Sequence, residues 1–124
     1  MFALLEHDTT AATSVPEAER GRHWDLLIEA ADQERLPTWR LAHAPLAADG
    51  DVPAERIKDP LRMYLDFGGE LSGGRGVVQC LDRGPATIER IAGDEAIVRL
   101  DGRLLRGRFE LVRAAGAALV LRRV

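Results

Sequence analysis

The sequence is poor in the residues that mark several classes of protein. Its one cysteine, Cys80, excludes a disulfide framework and a zinc site built from cysteines alone. No apolar run approaches the ~18 residues that a membrane-spanning helix needs. The first residues, MFALLEHD, place acidic residues directly after a short apolar run, and a signal peptide does not have this order. We therefore expect a cytoplasmic protein with no membrane partner.

The overall balance of the 124 residues is that of a soluble globular protein, with 46% hydrophobic and 30% charged residues. This length predicts a single domain over residues 1–124. The formal net charge of −3 excludes a uniformly basic nucleic-acid binder but leaves room for a local basic patch. Residues 1–59 hold 12 acidic and 6 basic residues, whereas residues 60–124 hold 8 and 11. The second half is thus a candidate wall for phosphate, with solvated edge-strand arginines as the alternative.

Short apolar runs alternate with glycine and proline turns, a pattern that predicts strands. Nine strands are predicted, at Phe2–Glu6, His23–Glu29, Pro37–Ala42, Tyr64–Leu71, Gly76–Asp82, Ala86–Ile91, Ala96–Asp101, Arg106–Val112 and Ala118–Arg123. One short helix is predicted at Pro53–Lys58, where a proline opens a polar stretch. We expect an all-β fold, a compact antiparallel β-barrel with one or two short flanking helices.

Glycine marks several of the predicted connections. Turns are predicted at Asp82-Arg83-Gly84-Pro85, Ala92-Gly93-Asp94 and Asp101-Gly102. The glycine-rich segment 68–76 lacks the Gly-Lys-Ser/Thr ending of a phosphate-binding loop, and we interpret it as a tight strand connection.

The two tryptophans and the cysteine are expected to be core residues. On a strand, Trp24, Leu26 and Ile28 share one apolar face. Trp39 and Cys80 also lie in apolar strands, which favours packing over base stacking or thiol chemistry.

The opposite face of the same strand carries candidate metal ligands. His23 and Asp25 can present an imidazole nitrogen and a carboxylate to one point. If the first two strands pair, His7 returns to this pair, and the set suits manganese, iron or zinc. The alternative is a surface His–Asp hydrogen bond without a metal.

Several motifs together form a family pattern that covers nearly the whole chain in order. They are Leu5-Glu6-His7-Asp8, His23-Trp24-Asp25-Leu26, Thr38-Trp39-Arg40-Leu41, Phe67-Gly68-Gly69, Asp82-Arg83-Gly84 and the stretch from Leu105 to Arg113. In these segments the sequence resembles the 3′-phosphoesterase module of bacterial DNA ligase D, and its small stand-alone members most of all.

The resemblance implies a β-barrel with a manganese-dependent activity that heals DNA 3′ ends. Such an enzyme removes a terminal ribonucleoside and then a 3′-phosphate. The family's metal ligands correspond to His7, His23 and Asp25, and its active-site tyrosine corresponds to Tyr64. The implied cofactor is therefore Mn²⁺ or another divalent transition metal, and the implied partners are nucleic-acid 3′ ends and a separate ligase or polymerase acting in trans.

Two family positions that stabilise phosphate charge are replaced in this chain, and a family glutamate is Lys58 here. The arginine of the family's H-x-D-x-R motif is Leu27 here, and the phosphate-contacting histidine is Pro60. Arg56 and His43 are the candidate catalytic replacements, and Arg62 and Arg40 lie in neighbouring segments.

Three hypotheses remain open from the sequence. The chain is a metal-dependent phosphoesterase for nucleic-acid 3′ ends, a metal- or DNA-end-binding module without turnover, or a phosphoesterase for a different substrate. The intact metal ligands favour the first hypothesis, and the two replaced positions favour the second.

Overall fold

The computed structural model describes residues 1–29, 36–45, 50–59, 69–70, 76–114 and 118–124. The strands are β1 Phe2–Asp8, β2 Arg22–Ile28, β3 Thr38–Leu41, β4 Val52–Arg56, β5 Gly69–Glu70, β6 Val77–Gly84, β7 Ala86–Ala92, β8 Glu95–Asp101, β9 Arg106–Arg113 and β10 Leu119–Arg123. A single 3-10 turn, Glu17–Glu19, follows β1. The all-β class is confirmed. Within the described ranges no helix is long and apolar enough to cross a membrane.

The strands form one antiparallel sheet in the order β5-β6-β1-β2-β3-β4-β10-β9-β8-β7. The expected closed barrel is wrong, since among the described strands β5 and β7 are edges that do not pair with each other. Instead, the chain connects the two ends of the strand order. β6, the neighbour of the edge strand β5, continues through Pro85 into β7, the opposite edge strand. Proline has no N–H to extend a ladder, so the pairing pattern breaks there.

The predicted helix at Pro53–Lys58 is also wrong. Most of this segment is β4, which pairs with β3 through Arg56 and with β10 through Pro53. Val52 is buried and Ala54 packs against the core, so alternate residues face inward as in a strand. Pairing on both sides therefore outweighed the weak local preference that proline gives to a helix start.

The predicted connections had mixed outcomes. The hairpin turn at Gly93 is confirmed, with a φ of 61°, as is the turn that begins at Gly102. The predicted turn ending at Pro85 is wrong, because Asp82 to Gly84 are the last residues of β6. The predicted strand Tyr64–Leu71 and most of the glycine-rich segment lie outside the described residues.

The main core takes its buried side chains from β1 to β4 and from β8 to β10. It therefore joins these two groups of strands, the two halves of the sheet. Its buried residues are Phe2, Leu4, Leu26, Ile28, Trp39, Leu41, Val52, Ala96, Val98, Leu100, Leu105, Phe109, Leu111, Leu119 and Leu121. Trp39 is fully buried as predicted, whereas Trp24 is half-buried at the edge of this cluster.

A second, smaller apolar cluster lies on the opposite face of β1 and β2. It contains Ala3, Leu5, Leu27, Leu36 and Val78, with Cys80 packed against it. This cluster makes the outer face of these strands apolar at one end, and the candidate metal ligands lie at the other end.

Candidate functional site

Pairing of β1 with β2 brings the candidate ligands together. The register places His7 opposite His23 and Leu5 opposite Asp25. His7, His23 and Asp25 thus lie on one face of two neighbouring strands, as the sequence predicted. Rigid elements rather than loops set their positions, which is favourable for a functional site.

His23 Nε2 is the point at which the three side chains meet. His7 Nδ1 lies 3.0 Å from this atom, with the two imidazole rings edge to face at 86° and 4.6 Å between centroids. Asp25 Oδ2 lies 3.6 Å from the same atom. Two imidazoles and one carboxylate are therefore in contact around a single nitrogen.

Asp25 is held from the other side by Arg40. The two residues are cross-strand partners of β2 and β3, and Arg40 Nε donates to Asp25 Oδ1 at 3.1 Å. The Asp25 side chain is 17% exposed. A charge-assisted bond of this kind orients the carboxylate and leaves its second oxygen on the side of His23.

The electrostatics of the site favour a neutral imidazole at His23. Burial lowers the pKa of His23 to about 4, and the charge of Arg40 and the neighbouring His7 act in the same direction. The Asp25 carboxylate opposes this effect but does not overcome it. A neutral imidazole keeps a nitrogen lone pair, which is the form that binds a metal or accepts a proton.

The fit of these residues to a divalent ion is good in chemistry and spacing but not in orientation. Nitrogen and oxygen ligands ~2.1 Å from one ion at right angles are ~3 Å apart, close to the spacing of the donor atoms here. Across the described ranges, however, no group of three or more His, Cys, Asp or Glu side chains is arranged to hold a metal ion. The donors contact one another in pairs, so the side chains would have to reorient to hold an ion.

Glycine makes room beside this cluster. Gly76 has a φ of 103°, and a Cβ there would overlap the backbone oxygen of Asp8 and lie 3.3 Å from His7 Nε2. Only glycine combines this left-handed backbone with so close an approach. The sequence signal for this role was the glycine run, which we interpreted only as a strand connection.

The described contacts of Arg56 and His43 lie outside this cluster. Arg56 binds Asp59, with Nη1 2.7 Å from Oδ1, and lies 4.8 Å over the Trp39 ring. His43 is exposed, with Nδ1 3.3 Å from the carbonyl oxygen of Ala44. Arg56 thus takes part in local packing, and the catalytic roles of Arg56 and His43 stay predictions.

The remaining positions from the family comparison divide into two groups. Tyr64 and Pro60 lie outside the described residues. Leu27 is 2% exposed within the second apolar cluster. Position 27 lies two residues beyond Asp25 on the same face of β2, and it therefore carries no cation.

A cleft of about 320 Å³ opens next to His23. Its lining residues are Arg22, His23, Arg40, Leu41, Ala42, Pro53, Ala54 and Glu55. The sequence predicts Arg40 only as a neighbour of the site. Its role depends on the cross-strand register of β2 and β3, which no local pattern reveals.

No protein-family model matches the chain, and no curated protein matches its sequence. The assignment of a function therefore depends on the residues and their geometry.

Proposed function

We propose that the protein is a metal-dependent phosphoesterase that acts on nucleic-acid 3′ ends, removing a terminal ribonucleoside or a 3′-phosphate. The observation that carries the proposal is the meeting of His7 and Asp25 around His23 Nε2, within 3.6 Å, on one face of β1 and β2. This donor set suits Mn²⁺ or another borderline divalent ion. The motif pattern shared with the DNA ligase D phosphoesterase module supports the substrate class.

In this proposal each residue of the site has a separate role in binding or positioning. His7, His23 and Asp25 would hold the ion, which supplies Lewis-acid stabilisation of charge on a phosphate oxygen. Arg40 fixes Asp25 in place through Nε, so the carboxylate loses little freedom on binding the ion. The lowered pKa of His23 keeps its nitrogen available at neutral pH.

The replaced positions predict a slow enzyme. Leu27 is buried in an apolar cluster and supplies no hydrogen-bond donor to a transferring phosphoryl group. Each removed donor costs on the order of 10²–10³ in rate by analogy with oxyanion holes. A binding module without turnover is the second candidate function, and the burial of Leu27 is the observation that favours it.

The deciding experiment uses a primer–template that ends in a 3′-phosphate or a single ribonucleotide, incubated with the protein and Mn²⁺ or a chelator. We expect product with Mn²⁺ alone, and none with His23→Ala or Asp25→Ala. Asp94→Ala is the matched control, because it also breaks an Asp–Arg pair, here an exposed one with Arg113 that is not part of the candidate site.

Equal, metal-independent background in the wild type and in His23→Ala would overturn the phosphoesterase proposal. Mn²⁺ binding measured in the same samples by electron paramagnetic resonance would then favour the binding module. Circular dichroism of each variant checks that loss of product is not loss of fold.

A further inference from the structure

We infer that the cleft beside His23 is the binding site for the terminal phosphate of a phosphomonoester, and that Arg40 is the specificity-determining residue in it. The inference deepens the proposed function and rests on it, because it names the residue that would bind the 3′-phosphate in the same site.

The side chain of Arg40 is fixed yet only partly used. Its Nε donates to Asp25 Oδ1 at 3.1 Å, and among the described residues the Arg40 side chain makes this one hydrogen bond. The guanidinium is 39% exposed and lines the cleft. Arginine presents five donors in a planar fork, so the two terminal nitrogens remain for a second, bidentate acceptor such as phosphate.

The charge on the cleft wall suits an anion. Two guanidinium groups, Arg22 and Arg40, face one carboxylate, Glu55, among the described lining residues. Arg22 Nε lies 3.4 Å from the Asp8 carboxylate and 4.0 Å from the Glu6 carboxylate, and Arg40 Nε lies 3.1 Å from Asp25. These three acids are outside the described lining and hold the arginines in place, and the terminal nitrogens of Arg40 are left for the ligand. A phosphomonoester carries close to two negative charges at neutral pH and a diester carries one, so the pair of arginines favours the monoester.

The size and the remaining walls of the cleft fit a small organic group on that phosphate. About 320 Å³ is at the lower end of the range for ligand pockets, ~300–1,000 Å³. Ala42, Pro53 and Ala54 add small apolar groups to the lining, whereas Leu41 is fully buried in the main core. A single nucleotide residue matches this combination of charged and apolar walls better than a long polymer.

The position of Arg40 also explains how the site can lack a cation at position 27 of β2, which is Leu27 here. Leu27 faces the apolar cluster, so that strand offers no guanidinium next to Asp25. The neighbouring strand supplies one instead, because Arg40 is the direct cross-strand partner of Asp25. The register of β2 and β3 thus decides which residue meets the substrate.

The test is a titration of the metal-free protein with adenosine 3′-monophosphate, followed by ¹H–¹⁵N NMR of the arginine Nε–H groups. We expect the Arg40 signal to shift on binding, and Arg40→Gln to weaken binding by ~10-fold or more, the effect of losing a hydrogen bond to a charged group. Arg40→Lys, which keeps the charge but not the fork, should fall between the two. Arg113→Gln, an exposed arginine paired with Asp94, is the matched control and should bind like the wild type.

Unchanged binding by a folded Arg40→Gln variant would overturn the inference, and so would a dinucleotide phosphodiester bound as tightly as the monoester. Absence of binding by the wild type at millimolar ligand would do the same. If Arg40-dependent binding is found but the primer–template assay gives no Mn²⁺-dependent product, the proposed function fails and the binding site stands. If product forms and Arg40→Gln changes neither binding nor KM, the function stands and the role of Arg40 fails.

Discussion

At the scale of single residues, the buried Asp82 carboxylate holds backbone from two separate segments. It is 5% exposed, and its two carboxylate oxygens accept hydrogen bonds from the backbone N–H groups of Arg83, Arg103, Leu104 and Leu105. The last three belong to the turn between β8 and β9. One carboxylate therefore connects the end of β6 to a distant turn. Its burial is tolerated because N–H donors surround it.

Asp82→Ala should lower the free energy of unfolding by about 3 kcal/mol, since buried N–H groups lose a charged acceptor. Asp82→Asn, which keeps one acceptor oxygen, should cost less. Denaturant unfolding followed by circular dichroism measures both. Asp51→Ala removes an exposed carboxylate that binds Arg122 and should change stability little. Equal losses for Asp51→Ala and Asp82→Ala would contradict this account.

The residue scale also shows how far the sequence led to the candidate site. Alternation along a strand was enough to put His23 and Asp25 on one face, and pairing of the first two strands was enough to return His7 to them. The contact of Arg40 with Asp25 was beyond such reasoning, because it depends on the register between β2 and β3. The burial of Leu27 was equally hidden, since its partners Leu36 and Val78 come from other segments.

At the scale of elements, the junction between β6 and β7 decides how the sheet is connected. Gly84 packs directly on the backbone of Asp101 in β8, and the carbonyl oxygen of Pro85 accepts the Asp101 N–H at 2.9 Å. The Gly-Pro pair was predicted to be a hairpin turn, because both residues are common there. Here glycine instead permits a close approach of two backbones, and proline ends the ladder of β6.

Gly84→Ala should be destabilising by about 2 kcal/mol, because the added Cβ would overlap the carbonyl oxygen of Asp101 in a tightly packed backbone contact. The matched control is Gly50→Ala, where a Cβ would meet no atom within 4 Å. Thermal and denaturant unfolding of the two variants should therefore separate clearly. A Gly84→Ala variant as stable as Gly50→Ala would show that the two strands are not held in this contact.

At the scale of the whole molecule, most arginines near the end of the chain are paired with carboxylates. Of the seven arginines in residues 99–124, five form ion pairs with carboxylates, namely Arg99, Arg106, Arg108, Arg113 and Arg122. These pairs favour the interpretation of this segment as solvated strand arginines over a continuous wall for phosphate. The cleft at Arg40 is where the described surface offers guanidinium donors next to the candidate ligands.

The main core predicts that the molecule unfolds as one unit, because it takes side chains from both halves of the sheet. The Trp39 indole N–H also donates to the carbonyl oxygen of Asp94, 2.8 Å away in the turn between β7 and β8. Far-ultraviolet circular dichroism and tryptophan fluorescence should give coincident denaturant transitions. Trp39→Phe should lower stability by about 1–2 kcal/mol, and the half-buried Trp24→Phe should lower it less. Two separate transitions would contradict a shared core.

The all-β class, most strand positions and the face that carries His7, His23 and Asp25 could be predicted from the sequence. These features follow from local periodicity, since side chains alternate along a strand whatever it pairs with. Tertiary structure alone decided that 53–56 is a strand, that the sheet stays open while the chain bends through Pro85, and that Arg40 meets Asp25. Each of these depends on pairing between distant segments, and neither strand register nor burial is written in the residues of one segment.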